Sequence, residues 1–97
     1  MKKVMVQFSF PGLTAKQYDQ VWDELRKAGR EHPEGLIHHV GAQQGKNWIV
    51  VDVWESKEYF NKFGETLMPI LKKVNAPQAQ PVITPVHYEM SGEMHHA

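Results

Sequence analysis

Residues 35–56, GLIHHVGAQQGKNWIVVDVWES, decide the fold. Two apolar runs, 36–42 and 48–54, flank a polar stretch at 43–47 that contains a glycine, the pattern of a β-hairpin. Inside the runs sit His38, His39, Asp52 and Trp54, whose polar atoms are costly in a packed strand unless each has a partner. Residues directly opposite in an antiparallel pair share a face. A four-residue turn at 44–47 sets His39 against Asp52 and Ile37 against Trp54. A five-residue loop slips the register by one and sets His38 against Asp52 instead. In either case a histidine meets the aspartate, with Trp54 two residues along on the same face.

Upstream of this hairpin, residues 2–10 alternate, with Val4, Val6, Phe8 and Phe10 on one side, and Pro11-Gly12 ends the strand. Thr14 stands three residues before Gln17, a capping box that opens a helix. Tyr18, Val21, Trp22, Leu25 and Ala28 then recur at helical spacing as far as Gly29. Aromatic residues on such a stripe either fill the core or line a pocket.

Downstream, Ser56 is placed to cap a second helix whose apolar face carries Tyr59, Phe60, Phe63, Leu67, Ile70, Leu71 and Val74. Pro69 falls inside that pattern, so a kink or two short helices are expected. Residues 75–77 stop the helix, and 82–90 form a last strand that Pro85 assigns to a sheet edge or bulge. Residues 91–97 read as a flexible tail, and its His95-His96 pair is too short a tract to count as a metal site. The order β-α-β-β-α-β over a single domain, 1–97, predicts an α+β, ferredoxin-like fold: a four-stranded antiparallel sheet with two helices on one face. The first strand is apolar on one side and half-polar on the other, so the helix-free face also needs cover. A two-fold homodimer pairing sheet against sheet would supply it.

Composition narrows the function. Eleven Lys and Arg balance eleven Asp and Glu, so no basic excess points to nucleic acid. The chain has no cysteine, which excludes disulfides and thiolate chemistry. No run approaches the roughly 18 apolar residues of a membrane span, and the N-terminal stretch lacks the marks of a signal peptide, so a cytoplasmic protein without membrane partners is expected. Phosphate-cradling loops and nucleophile elbows are missing too.

A carboxylate beside an imidazole fixes its tautomer and makes it a better base. An aromatic wall beside that pair would hold a flat apolar molecule. The candidate catalytic residues are therefore His39 or His38 as base, Asp52 as its orienting partner and His87 as a second polar contact. Trp54, Trp22 and Tyr59 are the candidate substrate-binding walls. The competing reading makes Asp52 a structural tie within a dimer. A trio of His39, Asp52 and His87 would suit a metal only if the last strand brought His87 to the same face, and no metal is assigned.

The strand-to-helix junction Asp52-Val53-Trp54-Glu55-Ser56, set in a β-α-β-β-α-β chain of this length, resembles the dimeric α/β-barrel superfamily and its small antibiotic-biosynthesis-monooxygenase-like members. The resemblance spans residues 3–90. It implies a homodimer whose two sheets close into a barrel, with a small-molecule pocket between each sheet and its own helices. It also implies chemistry such as cofactor-free oxygenation of polycyclic aromatics or quinols, haem degradation or isomerisation, and for some members none known. Haem-degrading members carry an axial histidine on the second helix, and quinol-type members commonly carry one late in that helix. Residues 57–74 contain no histidine. The expectation is a small-molecule-binding homodimer with cofactor-independent monooxygenase-like chemistry on an aromatic or polyketide-like substrate. The alternative is a non-catalytic ligand-binding or structural dimer.

Overall fold

The computed structural model describes residues 2–92, so residues 93–97, including the His95-His96 pair, lie outside it. Its elements run β1 (Val4–Pro11), α1 (Ala15–Lys27), β2 (Leu36–Gln44), β3 (Asn47–Trp54), α2 (Lys57–Lys73) and β4 (Val82–Pro85). The strands form one antiparallel sheet in the order β2-β3-β1-β4. This is the ferredoxin-like α+β arrangement that the element order implies. Among the described residues, no helix is long and apolar enough to cross a membrane.

Each helix starts where its sequence provides a cap. The Thr14 hydroxyl accepts from the Gln17 amide at 3.1 Å, and the Gln17 side chain accepts from the Thr14 amide at 3.0 Å. The Ser56 hydroxyl likewise accepts from the Tyr59 amide at 3.4 Å and is itself buried. Each cap satisfies an amide that the first helical turn would otherwise leave open. α2 is a single helix through Pro69 rather than two short ones. Pro69 is exposed, so water can serve the carbonyl of Glu65 that the missing N–H leaves free.

The core lies between the sheet and the helices. β1 contributes Val4, Val6, Phe8 and Phe10, β3 contributes Trp48, Val50 and Trp54, and Phe60 of α2 packs against them. Alternation along β1 and β3 delivers all of these to one face. β4 is an edge strand, as Pro85 requires, but it stops there instead of running on to residue 90. Beyond it, the Val86 amide still bonds the Lys3 carbonyl at 3.0 Å, and residues 86–92 pass over the helix-free face of the sheet.

Candidate functional site

The β2–β3 hairpin closes through the two residues Gly45 and Lys46, with Gln44 paired to Asn47. Gly45 has a positive φ of 59°, as the first position of such a tight loop can demand. This is the four-residue turn, and it pairs His39 with Asp52. Between Leu36 and His38 the register shifts, so Leu36 rather than Ile37 stands opposite Trp54. Ile37 is the extra residue of a β-bulge, a feature no alternation of side chains announces.

On the helix side of the sheet these residues form a continuous hydrogen-bonded chain. The Trp54 indole N–H donates to Asp52 Oδ2 at 3.3 Å. Asp52 Oδ1 lies 2.5 Å from His39 Nδ1, and His39 Nε2 lies 2.5 Å from the Tyr18 hydroxyl of α1. The partners dictate the protons in the neutral site. The carboxylate only accepts, so His39 Nδ1 carries the hydrogen, and the Nε2 lone pair is left to accept from the Tyr18 O–H. Asp52 is 5% exposed and Trp54 fully buried, so the carboxylate depends on these donors in place of water.

Aromatic rings frame the chain. The Tyr18 and His39 rings are near-parallel, with centroids 5.9 Å apart and 7° between planes. Trp22 meets the His39 ring edge-on at 5.0 Å, and Trp48 packs against Tyr18 at 4.8 Å. Gly41, two residues beyond His39 on the same face, makes room for the phenol: a Cβ there would lie 2.8 Å from the Tyr18 Cζ and hydroxyl. Burial pushes the Tyr18 hydroxyl above its ordinary value, and the Asp52 charge adds to the effect, so Tyr18 is a neutral phenol at physiological pH.

The chain borders an apolar cavity of about 50 Å³ between the sheet and the two helices, walled by Tyr18, Trp22, His39, Asp52 and Trp54 together with aliphatic and phenylalanine side chains. Its volume suits one or two molecules the size of water or dioxygen.

The structure therefore divides the candidate residues. His39, Asp52, Trp54 and Trp22 come together. His38 projects to the opposite face, where its Nε2 lies 3.4 Å from Glu89, because neighbouring residues in a strand point in opposite directions. His87 also lies on that face, in an open trough with His38, Val40 and Val53, so His39, Asp52 and His87 do not converge. Among the described residues, no cluster of three or more potential metal ligands occurs. Tyr59 packs its ring over Gly35 and borders a polar surface recess with Arg30 and Lys62, away from the cavity. The one member of the chain that the sequence pattern did not assign is Tyr18. Its helical phase put it on the apolar stripe, but its hydroxyl partner lies across the sheet interface.

No protein-family model matches the sequence, and no curated protein matches it. Solved structures do share the fold. SnoaB from Streptomyces nogalater, a cofactor-independent oxygenase, superposes with a TM-score of 0.69 at 11% identity over 95% of this chain and all of its own. ActVA-Orf6 from Streptomyces coelicolor, a monooxygenase solved with nanaomycin D, gives 0.62 at 10% identity over 95% of this chain and 94% of its own. The haem-degrader MhuD from Mycobacterium tuberculosis gives 0.50 at 15% identity over 90% of this chain and 99% of its own. The chain thus has the fold of the antibiotic-biosynthesis-monooxygenase-like proteins. At these identities the likeness is one of fold.

Proposed function

We propose that this protein is a homodimeric small-molecule-binding enzyme that carries out cofactor-independent monooxygenation of an aromatic or polyketide-like substrate. The observation that supports this most directly is the Tyr18–His39–Asp52 chain at the wall of an apolar, aromatic-lined cavity. The kinship of fold with SnoaB and ActVA-Orf6 supports the same reading by analogy. His39 is the base, Asp52 orients it and steadies the imidazolium that forms, and Trp22 and Trp54 hold the flat ring system. Removing a proton from an activated ring carbon or hydroxyl leaves an electron-rich anion that reacts with dioxygen. One oxygen atom enters the substrate and the other leaves as water, with the electrons supplied by the substrate itself.

A polycyclic ring is larger than the present cavity, so binding requires the half-buried side chains of Leu67 and Leu71 on α2 to give way. The dimer is supported by the helix-free face, where Val40 is 59% exposed beside half-buried Met5, Val51 and Val53. A second reading, a non-catalytic dimer braced by Asp52, is favoured by the small cavity and by the carboxylate's double engagement with His39 and Trp54.

The test is oxygen uptake with anthrone and with 1,4-dihydroxynaphthalene, followed alongside quinone absorbance. Enzymatic reading requires uptake well above the buffer rate and its loss in His39→Ala. Binding of these compounds without accelerated uptake would establish the braced, non-catalytic protein instead.

A further inference from the structure

The His39–Asp52 pair has both imidazole nitrogens engaged. Nδ1 faces the Asp52 carboxylate and Nε2 faces the Tyr18 hydroxyl, each at 2.5 Å. Neither nitrogen is left to meet a substrate. The phenol oxygen, by contrast, is at the end of the chain, on a residue that borders the cavity. We propose that Tyr18 is the catalytic residue that touches the substrate, and that His39 and Asp52 act through it as a proton relay.

The proton movements balance without any further reactant. The Tyr18 O–H gives its proton to His39 Nε2 as Tyr18 oxygen takes the proton of the substrate's acidic O–H or C–H. The imidazolium carries the gained charge beside the Asp52 carboxylate, and the substrate departs from neutrality as its anion. Tyr18 is a phenol again at the end, so it passes the proton on without accumulating charge. Because both partners of the transfer have a hydroxyl-like or activated-carbon acidity, a phenolic or enolisable ring suits this end group better than an amine or a carboxylic acid, which would each need a different partner.

Gly41 belongs to the same device as a positioning residue. The phenol stands over its bare Cα, and any side chain there would displace the hydroxyl from His39 Nε2. His39 and Gly41 are two residues apart on one face of β2, so the strand holds the base and the seat of its partner in fixed register. The Tyr18 ring is further held by packing against Trp22 and Trp48.

This inference rests on the proposed chemistry for its meaning, but its geometry is tested without substrate. In nitrogen-15 NMR of the histidine rings, wild-type His39 should show an Nδ1–H tautomer with an Nε2 signal displaced by a hydrogen bond. Tyr18→Phe and Gly41→Ala should both move Nε2 towards the position of a free lone pair while the Trp54 indole N–H signal stays in place. An Nε2 signal unchanged in Tyr18→Phe would overturn the relay, whatever the protein's activity. With 1,4-dihydroxynaphthalene as the probe, Tyr18→Phe should lower kcat about a hundredfold with KM nearly unchanged, and Gly41→Ala should lower kcat with Tyr18 still present. Wild-type kcat and an unaltered pH profile in Tyr18→Phe would also overturn it. A wild type that turns over no probe instead counts against the proposed oxygenase, and the NMR result alone then decides whether Tyr18 and His39 are coupled.

Discussion

The Trp54 indole N–H and the Asp52 carboxylate, 3.3 Å apart, make a one-directional contact, since an indole nitrogen can only donate. In Asp52→Asn the amide oxygen must therefore stay with Trp54, which turns the NH2 group towards His39. That group donates, so His39 Nδ1 has to accept and the ring hydrogen moves to Nε2, reversing the polarity of the bond to Tyr18. Turnover should fall at least a hundredfold while thermal unfolding shifts by only about 1–2 kcal/mol. Steady-state kinetics beside a denaturant titration separates the two. A mutant that loses activity only because it unfolds would return Asp52 to a structural role.

Trp54→Phe keeps most of the buried ring but strips the donor from Asp52 Oδ2. A buried carboxylate oxygen without a partner costs about 1–3 kcal/mol, and urea denaturation should show a loss of that order.

Tyr18 carries an alkaline signature. Burial, its largest cause, raises its folded-state value above 10.0, so the folded chain holds the phenol proton more tightly than the unfolded one. That contribution is complete below the unfolded value and is lost as pH climbs through the folded one. Thermal melts recorded from pH 8 to 11.5 should decline above about pH 10, and Tyr18→Phe should flatten part of that decline.

At the acid end, Glu89 is the group to follow. The hydrogen bond from Lys3 at 2.7 Å, with its positive charge, holds the carboxyl below its ordinary range. A depressed carboxyl stabilises above its unfolded value and loses that contribution as pH falls through the folded value, so the Lys3–Glu89 tie opens only on the acid side of the ordinary carboxylate range. The methyl resonance of Met90 should shift there, and Lys3→Met should produce the same shift at neutral pH.

If two copies meet through their helix-free faces, Val40→Glu places a charge in the seam. Val40 is 59% exposed in the single chain, so the substitution should change the monomer's stability by no more than about 0.5 kcal/mol. Sedimentation velocity should report dimer for the wild type and monomer for the variant.

The strands, both helix caps and the edge position of β4 were legible because each follows from neighbours in sequence: alternation, a Thr14–Gln17 box, a proline at position 85. The facing of a histidine to Asp52 was legible for the same reason, since turn length and register are linked arithmetically. What escaped was fixed by packing. The bulge that substitutes Leu36 for Ile37 opposite Trp54 leaves no trace in the apolar pattern. The azimuth of α1 that carries the Tyr18 hydroxyl to His39 depends on the room above Gly41. The early end of β4 sent His87 to the far face with the segment that follows it.

The histidine doublet has a parity of its own. A slip that drew Gln44 into the loop and closed the hairpin with Gln43 opposite Asn47 would turn β2 over and present His38 to Asp52, so the imidazole itself tolerates that slip. The same slip would bring Val40 beneath Tyr18 in place of Gly41. Such a slip would thus preserve the base while evicting its phenol, and the glycine acts as the checksum that tells one register from the other.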